Sequence, residues 1–240
     1  VKLLRQRNIQ VDLPTLPIDD APSYQMLARG DVVGVFQVES QGMRRALIDM
    51  RPDRFEDIIA LVALYRPGPM ANIPTYCNRK KGFEEVNYFT DALTPWLKPI
   101  LEPTFGVIIY QEQVMQIAQV MAGYSLGDAD LLRRAMGKKI RAEMEKQRAV
   151  FVAGAVKNGV PKGQADTIFE LLAKFADYGF NKSHAAAYAL VSYHTAYMKA
   201  HYPVEFLAAS MTLELNNTDK LSEFRAEALR LGIKVEAPNI

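Results

Sequence analysis

The sequence has almost no cysteine and almost no net charge. Cys77 is the single cysteine among 240 residues, which excludes an intrachain disulfide framework and a cysteine-based metal cluster. We therefore expect a reducing, cytoplasmic setting. The formal net charge is only +2, so a cationic function requires a local concentration of Lys and Arg rather than a basic chain.

Long apolar runs are missing as well. No stretch approaches the roughly 18 apolar residues that would cross a bilayer, and no signal peptide opens the chain, so we expect no membrane partner. With 49% hydrophobic and 23% charged residues, the composition is that of a folded domain with a core and not of a disordered chain. The sequence begins at Val1 without Met, and both ends resemble cuts, which favours a piece of a longer protein.

Helical periodicity dominates what is present. Apolar residues recur at spacings of three and four, and Gly, Pro and capping residues separate the segments. The pattern predicts a mainly α fold, an irregular array of about ten helices with at most short β segments. Residues 1–20 are expected to be a linker with a helix end and residues 21–240 the main domain, with a further boundary near residue 105 as an option. Residues 83–104 contain three prolines and are expected to be irregular.

One run of the sequence supplies local basicity. Between residues 133 and 148, seven cations face two carboxylates, Glu143 and Glu145. Such an excess is typical of surfaces that meet nucleic acid or nucleotide. The plainer interpretation is a solvated helix face with some ion pairs. The seven cations are Arg133, Arg134, Lys138, Lys139, Arg141, Lys146 and Arg148.

Arg133 and Arg134 are the first candidates for phosphate contact, because guanidinium groups suit phosphate oxygens. Adjacent residues on a helix diverge by about 100°. Either both arginines wrap one triphosphate that lies across the helix, or one binds phosphate while the other braces the fold. Lys138 and Lys139 strengthen the hypothesis, because they follow Gly137 directly and glycine allows close backbone approach.

A second cluster of polar groups opens a predicted helix at Asn181. Asn181 is expected to cap this helix, which would leave the backbone N–H groups of Lys182 and Ser183 as near-free donors. His184 would point back over the first turn. The cluster predicts an anion or base-edge site, and the alternative is an ordinary cap followed by solvated polar residues.

No metal site and no catalytic residue are predicted. The three histidines, His184, His194 and His201, lie on one predicted helix about 15 and about 10.5 Å apart along its axis, too far for one ion. Asp128 and Asp130 are explained by the positive end of a helix. Three further arginines are interpreted as surface or structural residues, with DNA contact as the alternative: Arg44, Arg45 and Arg66.

Five motifs follow one another along nearly the whole chain. They are residues 34–40 (GVFQVES) with Gly42 and Met43, residues 55–61 (FEDIIAL) leading to 65–69 (YRPGP), residues 110–115 (YQEQVM), residues 132–139 (LRRAMGKK), and residues 179–184 (GFNKSH) followed by Tyr188 and Tyr193. In this order they closely resemble the alpha subunit of bacterial DNA polymerase III, the C-family replicative polymerase.

The resemblance implies the fingers domain of that polymerase, with the first residues joining it to a palm. Arg133 and Arg134 would face the triphosphate of an incoming deoxynucleotide, and the turn from Asn181 to His184 would line the same pocket. The implied partners are primer–template DNA, deoxynucleoside triphosphates and the rest of the polymerase III holoenzyme. The implied cofactor is Mg²⁺, held by palm aspartates before Val1, so this chain alone is expected to bind no metal and to lack polymerase activity.

Two other classes of function compete with this interpretation. A helical module that docks proteins of the replication machinery would explain the helices and the surface charge, and it predicts an exposed apolar patch instead of a basic cleft. A sequence-specific DNA-binding module is the less favoured interpretation, because the sequence offers no clear helix-turn-helix pair and no recognition helix rich in base-reading side chains.

Overall fold

The computed structural model describes residues 1–138, 141–176 and 178–236. Thirteen α-helices are found within the described residues, and the one β feature there is an isolated parallel bridge between Tyr110 and Phe180. The predicted mainly α class is confirmed. In chain order the helices are α1 (Lys2–Gln6), α2 (Ala21–Ala28), α3 (Gln41–Met50), α4 (Phe55–Leu64), α5 (Ile73–Lys80), α6 (Thr94–Leu101), α7 (Gln111–Ala122), α8 (Leu126–Lys138), α9 (Arg141–Lys157), α10 (Lys162–Ala176), α11 (Lys182–His201), α12 (Pro203–Leu213) and α13 (Thr218–Arg230).

Residues 83–104 are more regular than the prolines suggested, because α6 occupies part of this stretch. Pro95 lies in the first turn of α6, where a missing N–H costs nothing, and Pro99 lies inside the helix. Leu97 and Leu101 are buried on one face, which stabilises the helix despite its internal proline. The expectation of an irregular segment is therefore wrong for residues 94–101.

Contacts divide the chain into two compact units. The first unit comprises Val1–Ile58 and Ala187–Ile240, and the second comprises Ile59–Ala186. These units do not test the domain boundaries expected near residues 20 and 105, which stay predictions. Among the described residues, no helix is both long enough and apolar enough to cross a membrane.

The core of the second unit lies among helices α6 to α10. Each helix contributes side chains with almost no exposed surface, and burying one large apolar side chain stabilises a fold by about 1.5–3 kcal/mol. α8 buries Ala129, Leu132 and Met136, so its remaining faces carry the polar residues. The buried set includes Leu97, Ile117, Leu132, Phe151 and Leu172.

The first unit contains a buried charge network. The Nζ of Lys199, a residue 2% exposed, donates to the carbonyl oxygens of Asp31 and Val33 at 3.0 and 2.8 Å and to Glu227 Oε1 at 2.7 Å. Glu227 also accepts from Nε and Nη2 of Arg230 at 2.7 and 2.8 Å. The three lysine N–H bonds therefore all have acceptors, as a buried ammonium requires. Hydrogen bonds from Arg230 and then Lys199 lower the pKa of Glu227 to about 2.

Candidate functional site

The arginine pair lies on the polar side of α8. The hydroxyl of Ser125 accepts the backbone N–H of Asp128 at 3.1 Å and caps the start of this helix. Burial of the apolar face then fixes the rotation of the helix about its axis, because that face must point into the core. Arg133 is 24% exposed and Arg134 is 62% exposed, so the two arginines differ in their access to solvent.

Asp130 binds both arginines. Its Oδ1 accepts from Nε and Nη2 of Arg133 at 3.0 and 2.7 Å, and its Oδ2 lies 2.7 Å from Nη2 of Arg134. Residues three and four positions apart on a helix are neighbours, so one carboxylate reaches both guanidinium groups although the arginines diverge. The hydrogen bond from Arg133 is the largest effect lowering the pKa of Asp130, so this side chain stays ionised.

Arg133 is also attached to a second helix. Its Nη1 lies 3.4 Å from Oε1 of Gln111, and Nε2 of Gln111 donates to the carbonyl oxygen of Gly179 at 2.9 Å. Nε, Nη1 and Nη2 of Arg133 thus all have acceptors within the protein. Arg134 has Asp130 as its one partner in the part of the chain that the structure describes.

Asn181 caps α11 as predicted, since its Oδ1 accepts the backbone N–H of His184 at 2.8 Å. The expectation that the N–H of Lys182 is near-free is wrong. Both carboxylate oxygens of Glu112 accept from this N–H, at 3.1 and 3.0 Å, and Glu112 Oε1 also accepts from Nδ2 of Asn181 at 3.0 Å. A carboxylate suits this position, because a helix N-terminus favours negative charge.

The side chains of this turn are exposed. The Nζ of Lys182 lies 5.4 Å from the centroid of the Tyr110 ring, within the range of a cation–π contact. The His184 ring meets Phe180 edge-on with centroids 5.3 Å apart. Ser183 faces solvent beside them. The turn therefore presents an ammonium, a hydroxyl and an imidazole next to aromatic rings.

The start of α7 connects the two predicted clusters. Gln111 contacts Arg133, and its backbone N–H donates to the carbonyl oxygen of Phe180 at 3.0 Å. The neighbouring Glu112 contacts Asn181 and Lys182. The buried Gln113 holds this helix start, because its Oε1 accepts the N–H groups at 109 and 110 at 2.8 and 3.0 Å. Two clusters that are about fifty residues apart in sequence therefore lie at one place.

Arg66 contacts the segment that precedes α11. Its Nη2 donates to the carbonyl oxygen of Tyr178 at 2.6 Å, and its guanidinium carbon lies 4.3 Å from the centroid of the Phe180 ring. The following turn is tight, because Gly68 has φ 98° and a Cβ there would lie 2.4 Å from the Tyr178 ring. These contacts match the structural interpretation of Arg66, and its contact with DNA stays a prediction.

The remaining predicted residues are less constrained. Arg44 and Arg45 belong to the first unit and are exposed on α3, where Nε of Arg45 lies 3.1 Å from Asp49. Lys138 is exposed at the end of α8, and a Cβ on Gly137 would meet nothing within 4 Å. Gly137 is thus not required by packing among the described residues. Lys139 lies outside the described residues.

The Mg²⁺ ion that the resemblance implies is expected on palm aspartates before Val1. The described residues of this chain contain no group of three or more His, Cys, Asp and Glu side chains placed to hold a metal ion. The carboxylates at this site, Asp130 and Glu112, are instead bound to arginine, asparagine and backbone donors.

Three side chains organise this site: Gln111, Glu112 and Asp130. The sequence had suggested no role for Gln111 and Glu112, and Asp130 had been interpreted only as suited to the positive end of a helix. A signal existed for Asp130, because carboxylates three and four positions before arginines on a helix pair with them. The sequence holds no comparable signal for Glu112, which meets Lys182 across 70 residues. Phe180, whose carbonyl oxygen accepts from Gln111, was quoted only as part of a motif, and Tyr178, whose carbonyl oxygen accepts from Arg66, lies just before that motif.

The fold and the site define a helical domain that gathers cations on the polar side of one helix and at the start of another. A model of the bacterial DNA polymerase III alpha subunit finger domain matches residues 1–159. Proteins named DNA polymerase III subunit alpha match the whole chain, with 59% identity in Caulobacter vibrioides, 57% in Rickettsia bellii and 55% in Haemophilus influenzae. The chain therefore belongs to the finger-domain family of the bacterial DNA polymerase III alpha subunit, and the resemblance drawn from its motifs is confirmed.

The two clusters differ in how these matches cover them. Arg133 and Arg134 lie inside the residues that the family model matches, whereas Asn181 to His184 lie beyond residue 159 and inside the alignments with the relatives. The chain spans 21% of the Caulobacter protein, 20% of the Rickettsia protein and 21% of the Haemophilus protein, about a fifth of each.

Proposed function

We propose that this chain is the fingers portion of a DNA-directed DNA polymerase that replicates bacterial DNA in the cytoplasm. In that role it binds the triphosphate of an incoming deoxynucleotide and the primer–template during nucleotidyl transfer. Its partners are primer–template DNA and the rest of the polymerase III holoenzyme. The Mg²⁺ ions of the reaction belong to a palm, and the chain by itself is expected not to extend a primer.

One observation carries the proposal. Gln111 contacts both Arg133 and Gly179, at 3.4 and 2.9 Å, so the arginine pair and the start of α11 lie around one helix start. A triphosphate needs several donors and positive charges at one place, because it carries several negative charges over a short length. Either cluster alone would be an ordinary helix surface, and their convergence supports a common anionic ligand.

The two arginines take different roles in this proposal. Arg134 is largely exposed and is the residue that contacts phosphate, while Arg133 braces α8 against α7 through Asp130 and Gln111. Lys138 adds a second exposed cation one turn further along α8. Lys139 is assigned to the same group from the sequence. These cations would neutralise charge on the phosphates, and positioned charge is a main source of rate enhancement in phosphoryl transfer.

The second cluster lines the same pocket. Lys182 and His184 supply a cation and a hydrogen-bonding ring, Ser183 supplies a hydroxyl, and Asn181 holds the turn through its cap. The exposed Arg44 and Arg45 are suited to the DNA backbone, because exposed arginines make sequence-independent phosphate contacts. Arg66 supports the turn before α11 through its contacts with Tyr178 and Phe180, and DNA contact stays the alternative role for this residue.

Steady-state kinetics of Arg134→Ala in the full-length subunit test the proposal. A charge-assisted hydrogen bond is worth about 1.5–3 kcal/mol, so kcat/KM for the nucleotide should fall about tenfold to hundredfold. Arg148→Ala is the matched control, because Arg148 lies in the same basic run but binds Asp166 and Glu170 at 2.8 and 3.1 Å. Wild-type kinetics for Arg134→Ala would refute the triphosphate role.

The alternative is a helical module that docks proteins of the replication machinery. It predicts an exposed apolar patch, and the described exposed leucines include Leu213 and Leu215 at the end of α12, which are 86% and 67% exposed. Single exposed leucines are ordinary on protein surfaces, so this observation does not favour docking over nucleotide binding. Unchanged nucleotide kinetics together with lost holoenzyme assembly would favour the docking module.

A further inference from the structure

The exposed arginine of the site already holds an anion of its own chain. Oδ2 of Asp130 lies 2.7 Å from Nη2 of Arg134, and Oδ1 of the same carboxylate accepts hydrogen bonds from Nε and Nη2 of Arg133. A carboxylate is close to a phosphate in geometry, because both present oxygen pairs that accept parallel N–H bonds from guanidinium. Asp130 thus uses donors that a phosphate would use.

Asp130 also changes the charge that a ligand meets. The two arginines contribute two positive charges, and Asp130, kept ionised by them, cancels one of these. A triphosphate approaching Arg134 would meet the Asp130 carboxylate within a few ångströms. Like charges at such distances repel, and the repulsion is weakened but not removed by the solvent because the site is only partly exposed.

A purely structural role for Asp130 explains less of the geometry. The helix is already capped by Ser125 and anchored by its buried face. Arg133 needs one carboxylate as a brace, yet Asp130 also reaches the more exposed Arg134, whose pairing adds little to stability because exposed ion pairs are worth about 0–1 kcal/mol. The shared carboxylate is better explained by its effect on what Arg134 binds.

We propose that Asp130 is an internal counter-anion that lowers the affinity of Arg134 for phosphate. It keeps the arginine aligned while the site is empty and opposes both the triphosphate of the entering nucleotide and the pyrophosphate that leaves. The site thereby exchanges its anionic ligands quickly instead of retaining the product. This inference rests on the proposed function, because it requires that Arg134 contacts phosphate.

The test is Asp130→Asn in the full-length subunit, which removes the charge and keeps the size of the side chain. The KM for the deoxynucleotide and the inhibition constant of pyrophosphate should both fall about fivefold, the fold-change that corresponds to about 1 kcal/mol. The value of kcat should not rise. Asp130→Glu restores the charge and should return both constants to wild-type values, and the effect of Asp130→Asn should shrink at high salt.

Asp128→Asn is the matched control, because it removes the same charge from the same helix two residues away. Asp128 accepts from the hydroxyl of Ser125 at 2.6 Å and forms no ion pair with an arginine among the residues that the structure describes. Equal effects of Asp128→Asn and Asp130→Asn would show a general charge effect and overturn the inference. A raised or unchanged KM in Asp130→Asn would overturn it as well, since a bracing role predicts that direction.

A double-mutant cycle separates this inference from the function on which it rests. In an Arg134→Ala background, Asp130→Asn should no longer lower the KM, because the two residues act on the same ligand group. If Arg134→Ala raises the KM and Asp130→Asn does not lower it, the counter-anion role fails while the nucleotide site stands. If Arg134→Ala changes nothing, the nucleotide site fails and the counter-anion role falls with it.

Discussion

Two carboxylates of this chain each hold two cations, and they do so in opposite surroundings. Asp130 pairs with Arg133 and Arg134 on its own helix and is 30% exposed. Glu227 pairs with Arg230 and with Lys199, which is 28 residues away in sequence, and is 5% exposed. Both groups join a carboxylate to two cations at similar distances. They differ in how deeply the carboxylate is buried and in whether its partners are near or far in sequence.

The difference in burial between Asp130 and Glu227 distinguishes an ion pair that stabilises the fold from one that is accessible to a ligand. A buried ammonium without its partner would be an uncompensated charge in a medium of low dielectric constant, so the Lys199 network is tied to folding. Water can replace either partner at Asp130, so that pair contributes little to stability. The exposed pair is therefore the one whose cations a phosphate can share.

The largest effect is expected from Lys199→Ala. It leaves Glu227 short of one cation and the carbonyl groups of Asp31 and Val33 without their donor, so the free energy of unfolding should fall by about 3–5 kcal/mol. Urea denaturation followed by circular dichroism measures the change. Lys220→Ala is the control, because Lys220 likewise pairs with carboxylates, those of Glu39 and Glu223, but is 32% exposed. Similar losses in both variants would break the comparison.

A decrease in pH is expected to have an intermediate effect on the stability of the fold. The pKa of Glu227 is about 2 in the folded chain against an ordinary 4.5. A depressed carboxyl pKa stabilises the folded state fully above 4.5, and this contribution is lost as the pH falls from 4.5 towards about 2. The urea midpoint should therefore drop steeply in this range, and Glu227→Gln should flatten the drop. A wild-type slope in Glu227→Gln would contradict the assignment.

The smallest effect is expected from Asp130→Asn on stability. The free energy of unfolding should change far less than in Lys199→Ala, because the pair is exposed and the helix is held by its cap and its buried face. The same urea titration measures it. A loss as large as that of Lys199→Ala would mean that Asp130 is a structural residue, which would remove the contrast between the two carboxylates.

The sequence predicted the helical class and the location of both clusters. Apolar spacing identified α7, α8 and α11, and Asn181 was recognised as a cap because its residue type and position are typical of one. The irregular structure expected for residues 83–104 was wrong for 94–101, because Pro95 lies in the first turn of α6 and the buried Leu97 and Leu101 stabilise this helix despite Pro99 inside it. The domain boundaries near residues 20 and 105 and the ligand contacts of individual residues stay predictions.

The local part of the site could be derived from the sequence alone. Asp130, Arg133 and Arg134 are neighbours on any α-helix, because the spacing of three and four residues is set by helical geometry. The charges of the basic run and the cap at Asn181 can likewise be derived from the sequence, because they depend on residue type and local position. The sequence by itself therefore determined which side chains are cationic and which of them share a helix face.

Only the tertiary structure decided that the two clusters meet. Gln111 reaches Gly179 across 68 residues and Glu112 reaches Lys182 across 70, and no local rule predicts contacts at such separations. They arise because buried faces of α7 and α8 must pack into one core, which places the start of α7 beside Arg133, while the bridge between Tyr110 and Phe180 places it beside the turn before α11. Packing of the apolar faces of α7 and α8 together with this long-range backbone bridge thus assembled the site.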